Sequence, residues 1–310
     1  MTGLQSAVAA IAAVVLFIYA LQGFSREVQA VGGTALQSWL GRVTESRWRG
    51  FAVGVLATAV VQSSSAVTSL TAALVDGSII SFRASLGVLL GSNVGTTVTA
   101  WLVSLKLTAV GPFLIVFGAL LSALPNHANL AGKSVFYFGL ILFALELVSA
   151  ELNPLRDQPA FVDLMAMAHV PWKGVFIGVV FTALVQSSSV TTGVAILLVL
   201  QGTLPAEAAI PVVVGANVGS TSTALLASIG MNTVARATAK ANFLFNLAGA
   251  TCLFPFLQQF SQAMIGLVRD PAMAVAWAHL VFNVSVALAF LFPLNLLAPR
   301  LQSLLLGVRN

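Results

Sequence analysis

Two identical polar tetrads interrupt runs of the sequence that are otherwise made of small and aliphatic residues. Gln-Ser-Ser-Ser occurs at residues 62–65 and again at 186–189. Each tetrad offers an amide and three hydroxyl groups, which can donate hydrogen bonds to an anion or present oxygen atoms to a hard cation. Because polar groups are costly in apolar surroundings, the paired tetrads indicate a binding site rather than packing alone.

The composition places these tetrads in a membrane. Of the 310 residues, 58% are hydrophobic and only 7% are charged, whereas a soluble domain carries about 25% charged residues. Several apolar runs approach the roughly 20 residues that cross a bilayer as a helix. The runs are long and rarely alternate, so they favour a helical bundle over a barrel. We expect a multi-pass protein of the cell inner (cytoplasmic) membrane.

The remaining compositional features exclude other classes. The basic residues are scattered at the ends of the apolar runs, which argues against a nucleic-acid-binding surface. A single cysteine, Cys252, excludes a disulfide within the chain and a cysteine-based metal site. We expect residues 4–24 to be a retained membrane helix rather than a signal peptide, because this run lacks a charged start.

The two tetrads belong to an internal repeat. Each is followed by a Gly-x-Asn-x-Gly segment, at residues 91–95 and 215–219, and the spacing is the same in both copies. Residues 48–105 align without a gap on residues 172–229, with 25 of 58 positions identical. Repeats of membrane helices are typical of secondary transporters, whose binding site lies between the two halves near the midplane.

The two copies are predicted to have inverted topology. Residues 50–75 and 174–200 could each span the membrane or fold back at the tetrad as a re-entrant hairpin. If both fold back, ten of the 14 Lys and Arg residues fall on one side of the membrane and four on the other. Cytoplasmic loops are enriched in these residues, and spanning segments would blur the asymmetry, so we predict hairpins.

The predicted fold is therefore an all-α polytopic membrane protein with two inverted-topology repeats, each with a re-entrant helical hairpin and a broken transmembrane helix. The predicted divisions are an N-terminal repeat (1–148, hairpin 50–75, broken helix 82–105), a linker (149–170) and a C-terminal repeat (171–310, hairpin 174–200, broken helix 205–229).

Seven or eight transmembrane helices are predicted. Seven crossings are placed at residues 4–24, 82–105, 108–124, 134–150, 205–229, 236–260 and 273–298. Residues 28–41 and 155–168 are predicted to be short and interfacial, although the first could form an eighth crossing.

The glycines that flank Asn93 and Asn217 weaken helix continuity, so we expect the helices to break there, with close helix packing as the alternative explanation. A broken helix exposes N–H groups that suit an anion and C=O groups that, with hydroxyl and amide oxygens, suit Na⁺. A hairpin tip offers the same two ends, so two tips facing two broken helices would form a cage.

The motifs contain no ionisable side chain. Proton-coupled carriers usually place such a group in the membrane, so the sequence favours Na⁺ coupling and an anionic substrate. Near the C-terminus, Asn246 and Asn283 occur in two similar segments, residues 240–246 and 277–283. They are predicted to brace the site, or alternatively to belong to an aromatic packing face.

Two other classes of protein remain as weaker alternatives. An intramembrane hydrolase would use Ser64 or Ser188 as a nucleophile and His279 as a base. The motif is duplicated, however, while only one half has a histidine within a predicted membrane helix. A channel is also less favoured, because broken helices at a buried midplane suit an occluded carrier better.

Together, the paired tetrads and the Gly-x-Asn-x-Gly-Thr/Ser segments resemble the type II sodium-dependent phosphate cotransporters and their bacterial relatives. The resemblance covers about residues 48–105 and 172–250. It implies a transporter, not an enzyme, that carries inorganic phosphate with Na⁺ by alternating access, without an organic cofactor. The implied partners are phosphate, Na⁺ and membrane lipid; a homo-oligomer stays open. The alternative is a Na⁺-coupled carrier of another small anion, a carboxylate or sulfate.

The resemblance also implies which residues bind each ion, and the polar clusters add two asparagines. The predicted phosphate ligands are Gln62, Ser63, Ser64, Ser65, Gln186, Ser187, Ser188, Ser189, Asn93 and Asn217. The predicted Na⁺ ligands are Gln62, Ser65, Thr96, Thr97, Gln186, Ser189, Ser220, Thr221 and Thr223.

The sequence departs from the family in two respects. Asn242 stands where relatives often have a histidine, whereas His279 keeps that pattern in the later segment. The sequence ends soon after its last predicted helix, so we expect no regulatory cytoplasmic domain of the kind found in some bacterial relatives. We also expect no large disulfide-bonded outer loop like that of animal members, because the chain has a single cysteine.

Overall fold

The structure is a computed structural model that describes residues 3–41, 46–105, 107–125, 127–152 and 170–306. Every regular element in these ranges is helical, which confirms the all-α class. The predicted segment 155–168 and most of the linker lie outside the described residues.

The first copy and the helices that flank it are α1 (Gly3–Gly41), α2 (Arg47–Val61), α3 (Ser64–Asp76), α4 (Phe82–Gly95), α5 (Thr97–Ser104), α6 (Gly111–Ser122) and α7 (His127–Leu152). The second comprises α8 (Pro171–Val185), α9 (Ser188–Leu200), α10 (Ala206–Ala227), α11 (Thr233–Leu253), α12 (Leu257–Leu267), α13 (Pro271–Leu291) and α14 (Leu294–Leu306). Short 3₁₀ turns precede α6 and α12.

Five stretches of helix are long and apolar enough to cross a membrane, and each overlaps a predicted crossing. They are Phe82–Ser104, Ala131–Val148, Ala206–Ala227, Thr233–Leu267 and Pro271–Leu291. The predicted crossings 4–24 and 108–124 correspond to shorter apolar stretches, Val8–Phe24 and Gly111–Ser122. The described helices therefore have the character of a polytopic membrane protein.

Two predicted boundaries need correction. The crossing 4–24 and the interfacial segment 28–41 form one continuous helix, α1, which contains no proline to end it. The predicted crossing 273–298 is divided instead, because Pro293 lacks the N–H that would continue α13.

Each tetrad forms the tip of a helical hairpin. Gln62 ends α2 in the left-handed conformation (φ 54°), and Gln186 ends α8 in the same way (φ 57°). The next residue, Ser63 or Ser187, is extended, and its Oγ accepts a hydrogen bond from the backbone N–H three residues later. The glutamine thus terminates one helix and the first serine caps the next.

The direction of the helices confirms the re-entrant shape. Phe51 lies against Gly91 and Val55 lies against Gly95, so α2 and α4 run parallel. A short turn joins the end of α3 to the start of α4, so α3 must return antiparallel to α2. In the second copy Gly215 lies against Val175 and Gly219 against Val179, which establishes the same arrangement.

The two hairpins enter from opposite ends of the bundle. Asp76, at the open end of the first hairpin, accepts a 2.7 Å hydrogen bond from the backbone N–H of Asn232, just before α11. Pro171 and Glu207, at the open end of the second, share a cavity with Leu257, just beyond the end of α11. Since α11 has 21 residues and so extends for about 31 Å, the topology is inverted, as predicted.

The predicted helix breaks are largely absent. In the first copy only Thr96 separates α4 from α5, and it keeps helical backbone angles (φ −59°, ψ −27°). The predicted break in 205–229 is wrong, because α10 continues through Gly215 and Gly219.

Close backbone packing explains these glycines instead. A Cβ atom at Gly91 would overlap the Phe51 carbonyl oxygen, and one at Gly215 would overlap that of Val175. Gly54 and Gly178, on the hairpin arms, meet the facing helices in the same way. The arm of each hairpin therefore lies directly on the backbone of the helix that follows it, in both copies.

We predict that Gly91→Ala and Gly215→Ala each lower the stability of the folded protein. The added methyl group meets backbone atoms that cannot rotate away, and overpacking costs about 1–3 kcal/mol or more. Thermal unfolding in detergent, followed by the loss of monodisperse protein, measures the effect. Gly266→Ala is the control, because a Cβ there meets nothing within 4 Å, and it should leave the midpoint unchanged or slightly raised. Equal midpoints for all three variants would contradict this packing role.

Candidate functional site

The tips of the two hairpins meet in the middle of the bundle. Ser65 Oγ donates to the backbone oxygen of Gln186 over 3.3 Å. A cavity of about 490 Å³ lies between the tips and is lined by all eight residues of the two tetrads. The two copies of the motif therefore form one site rather than two.

Helix ends give this cavity a mixed electrostatic character. The helices α3 and α9 begin at Ser64 and Ser188, so two N-termini with partial positive charge converge on the cavity. The helices α2 and α8 end three residues earlier, at Val61 and Val185, so their C-terminal carbonyl groups lie close by. The site can thus offer N–H donors to an anion and carbonyl oxygens to a cation.

Helix α1 supplies lining residues that the sequence analysis did not predict. Leu21, Gln22 and Arg26 line the cavity together with the tetrads, and Arg26 is the charged residue among its lining. Arg26 Nε donates to the Gln22 carbonyl oxygen over 3.3 Å, one turn earlier in the same helix. Only the tertiary packing of α1 reveals this role, because α1 lies outside the aligned segments 48–105 and 172–229.

Thr99 joins the two hairpin tips. Its Oγ1 lies 2.7 Å from Gln62 Oε1 and 3.2 Å from Ser189 Oγ. All three residues are buried, with Gln62 7% and Ser189 6% exposed. Three neutral oxygens from three different helices therefore meet beside the cavity, although the sequence analysis had assigned Thr99 to neither ion.

The corresponding position in the second copy is different. The hydroxyl of Thr223 is buried, and it has no hydrogen-bond partner in the part of the chain that the structure describes. The side chain of Gln186 is exposed, whereas that of its counterpart Gln62 is buried. The two halves of the site are thus alike in sequence and unlike in conformation.

A second difference concerns the arms of the hairpins. Thr58 of α2 pairs with Ser92 of α4, with their hydroxyl oxygens 2.7 Å apart. Its counterpart Thr182 pairs instead with Thr191 of α9, at 2.6 Å. The first hairpin is bonded to its neighbouring helix, whereas the second is bonded across its own two arms.

The asparagines predicted to bind phosphate lie outside the cavity lining. Asn93 Nδ2 donates to Asn242 Oδ1 over 3.4 Å, which links α4 to α11. Asn217 Oδ1 lies 3.4 Å from His279 Nε2, which links α10 to α13. Asn242 therefore occupies the place that His279 has in the other pair. The role of Asn93 and Asn217 as phosphate ligands stays a prediction.

The predicted supporting residues bond within their own helices. Asn246 Nδ2 donates to the Asn242 carbonyl oxygen, and Asn283 Nδ2 donates to that of His279, both over 2.9 Å. They brace the residues that pair with Asn93 and Asn217 rather than backbone groups freed by a helix break.

The remaining predicted Na⁺ ligands also lie outside the cavity lining. Four of the five donate their hydroxyl hydrogen to a carbonyl three or four residues earlier, namely Thr96, Thr97, Ser220 and Thr221. The fifth is Thr223, whose hydroxyl has no partner among the described residues. Their oxygens keep lone pairs that can accept a further partner. Their role as Na⁺ ligands stays a prediction.

The sequence model of the family described as Na⁺/Pi-cotransporter matches residues 16–150 and 155–269. Both tetrads and both Gly-x-Asn-x-Gly segments lie in these stretches. The chain belongs to this family. The Na⁺/Pi-cotransporter family was also the one predicted from the tetrads, so that prediction is confirmed.

Individual relatives cover the chain to different extents. The uncharacterised protein YqeW of Bacillus subtilis is 32% identical over 269 residues, which are 86% of this chain and 87% of YqeW. A protein of Escherichia coli K12 named "Putative inorganic phosphate export protein YjbB" is 29% identical over 287 residues, or 91% of this chain. The chain spans about half of that relative, 52% of its length.

Animal proteins match a shorter stretch. The sodium-dependent phosphate transport protein 2B of Homo sapiens is 33% identical over 91 residues, which are 29% of this chain and 13% of that protein. No solved structure matches the chain.

We predict that the His279–Asn217 pair stabilises the fold and that an asparagine can replace the histidine. His279→Leu removes the partner of a buried Asn217 oxygen, so it should cost about 1–3 kcal/mol of stability. His279→Asn copies the natural Asn242–Asn93 pair and should retain most of that stability. Thermal unfolding of both variants in detergent measures the difference. Equal loss in the two variants would show that the contact with Asn217 is not what the histidine contributes.

Proposed function

We propose that this protein is a carrier of the cytoplasmic membrane that transports inorganic phosphate together with Na⁺ by alternating access. The observation that carries the proposal is the meeting of both tetrads in one cavity with two helix N-termini and Arg26. Membership in the Na⁺/Pi-cotransporter family supports the choice of ions, as do the names of relatives from Escherichia coli and Homo sapiens.

The donors around the cavity suit phosphate. Serine hydroxyls, glutamine amides and backbone N–H groups at the starts of α3 and α9 can together donate to several oxygens of a tetrahedral anion. Hydrogen phosphate also carries a proton of its own, which it can donate to a serine or carbonyl oxygen. Sulfate lacks that proton at neutral pH, so acceptor oxygens in the cavity favour phosphate over sulfate.

The acceptors suit Na⁺. Three neutral oxygens lie close together, because Thr99 Oγ1 is within hydrogen-bond distance of both Gln62 Oε1 and Ser189 Oγ. Among the residues that the structure describes, no carboxylate lines the cavity. Neutral oxygen ligands bind a monovalent cation weakly, so they suit an ion that must be released after each transport cycle.

The same site explains why the two ions would move together. Taking a phosphate anion out of water alone is costly, and so is taking Na⁺ out of water alone. When both occupy adjoining parts of one cavity, their attraction offsets part of each cost. Closure of the cavity is then favoured when both ions are bound, which is the requirement for coupled transport.

The alternative of an intramembrane hydrolase has little support from the geometry. Its base would be His279, which lies against Asn217 and does not line the cavity that contains Ser64 and Ser188. A nucleophile and its base must lie within hydrogen-bond reach. A carrier is the function that uses both copies of the tetrad.

We predict that Gln186→Ala and Ser189→Ala impair phosphate transport in proteoliposomes that contain the purified protein. Each substitution removes a polar group that contacts an ion, and such contacts contribute about 1.5–3 kcal/mol. The KM for phosphate or for Na⁺ should therefore rise about 10- to 100-fold, measured by uptake of labelled phosphate under an inward Na⁺ gradient. Ser228→Ala is the control, because this buried hydroxyl donates to its own helix and lies outside the cavity.

The same vesicles test the function itself. Flux that ignores the size and direction of the Na⁺ gradient would contradict coupling. Competition by sulfate or by a carboxylate with the strength of phosphate would favour the carrier of another anion. Phosphate flux that responds to an outward but not to an inward Na⁺ gradient would identify an exporter, as the name of YjbB suggests for that relative.

We predict that Arg26→Gln raises the KM for phosphate with little change in the maximal rate. Arg26 lines the cavity but is exposed, so its attraction for the anion is screened, and the expected increase is about 3- to 10-fold. Arg26→Lys should retain part of the affinity. Added choline chloride should raise the KM of the natural protein more than that of Arg26→Gln. Arg300→Gln, an exposed arginine outside the cavity, is the control for the loss of one positive charge.

A further inference from the structure

The internal repeat assigns a counterpart to each residue that Thr99 contacts. At the fixed spacing of the two copies, Gln62 corresponds to Gln186, Ser65 to Ser189 and Thr99 to Thr223.

In the structure, Thr99 contacts Gln62 of its own copy and Ser189 of the other copy. The repeat therefore defines a mirror set of contacts, in which Thr223 would bond to Gln186 and Ser65. That set is not formed. The hydroxyl of Thr223 is buried without a partner among the described residues, and Ser65 Oγ donates to the backbone of Gln186 instead.

Both threonines also depart from the usual behaviour of a threonine within a helix. Such a hydroxyl commonly donates to a carbonyl three or four residues earlier, as Thr97 and Thr221 do here. Thr99 donates across to the hairpin tips, whereas the hydroxyl of Thr223 is buried and left unpaired. Buried hydroxyl groups are rarely left unpaired, so the hydroxyl of Thr223 retains the capacity to form a hydrogen bond.

We propose that Thr99 and Thr223 are positioning residues that hold the two hairpin tips in turn. In the conformation described here, Thr99 holds Gln62 and Ser189. In the second conformation, Thr223 holds Gln186 and Ser65, and Thr99 has released its partners. This inference rests on the proposed alternating access and identifies the contacts that would exchange.

The exchange couples the two hairpins. Each threonine holds one residue from each tip, so neither tip can change partners without affecting the other. Both tips line the ion cavity. When the contacts exchange, Gln186 would therefore become buried and Gln62 exposed. The accessible part of the cavity would then move from one hairpin to the other.

Disulfide cross-linking tests the exchange directly, in a Cys252→Ser background because Cys252 is exposed. Thr99→Cys with Ser189→Cys should cross-link the conformation described here. Thr223→Cys with Ser65→Cys should cross-link the second conformation, because a disulfide requires Cα atoms roughly 4.4–6.8 Å apart. We expect both pairs to form in membranes under mild oxidation. The inference is overturned if the second pair fails to form with and without Na⁺ and phosphate while the first pair forms.

Valine substitutions test the exchange further, because a threonine that only stabilised the fold would not change the cross-linking rate of the opposite cysteine pair. Thr99→Val should raise the cross-linking rate of the Ser65–Thr223 cysteine pair about 3- to 10-fold, because it weakens the competing contact. Thr223→Val should raise the rate of the Thr99–Ser189 cysteine pair. Thr71→Val is the matched control, since its hydroxyl is buried and donates to its own helix at Val67, and it should alter neither rate. Changes in the same direction for both pairs would overturn the proposal.

These measurements separate the inference from the proposed function. Cross-linking does not require transport, so exchange without Na⁺-dependent phosphate flux would support the switch and refute the proposed ions. Na⁺-dependent phosphate flux in the natural protein, combined with a second pair that never cross-links, would support the function and refute the switch.

Discussion

The close contact of glycines with the backbone of the facing helix is the constraint on which the site depends. Gly54 and Gly91 in the first copy, and Gly178 and Gly215 in the second, allow a hairpin arm to lie directly on its neighbouring helix. This contact fixes how far each arm extends, and hence where its tip ends. Because the two hairpins enter from opposite ends, both tips reach the same level of the bundle. A single side chain between arm and helix would displace the tip and separate the tetrads.

The tips themselves combine two tasks. Gln62 and Gln186 end one helix in a left-handed conformation, and the serine that follows caps the next helix. The polar residues needed to turn the chain are therefore the same residues that face the cavity. A short tetrad can therefore both turn the chain and supply amide and hydroxyl groups to the cavity.

Much of this arrangement could be predicted from the sequence. The exact repeat of Gln-Ser-Ser-Ser and the distribution of Lys and Arg were sufficient to predict hairpins of opposite direction. The breaks at Gly95 and Gly219 were predicted from helix propensity, but tertiary packing decided the outcome, since these glycines contact a neighbouring backbone. Arg26 could not be found, because its position in the cavity depends on how α1 packs against two hairpins distant in sequence. The unequal states of Thr99 and Thr223 were also beyond prediction, because both are threonines at equivalent positions of the repeat.

The different hydroxyl pairs on the hairpin arms have a mechanical consequence. Thr58 is bonded to Ser92 on the facing helix, whereas Thr182 is bonded to Thr191 within its own hairpin. Moving the first hairpin away from its facing helix would break the Thr58–Ser92 pair, whereas moving the second would leave the Thr182–Thr191 pair intact. The residues that correspond to Ser92 and Thr191 in the other copy are Ala216 and Val67, which have no hydroxyl group. The hydroxyl pairs on the hairpin arms thus differ between the two copies, while the tetrads at the tips are identical.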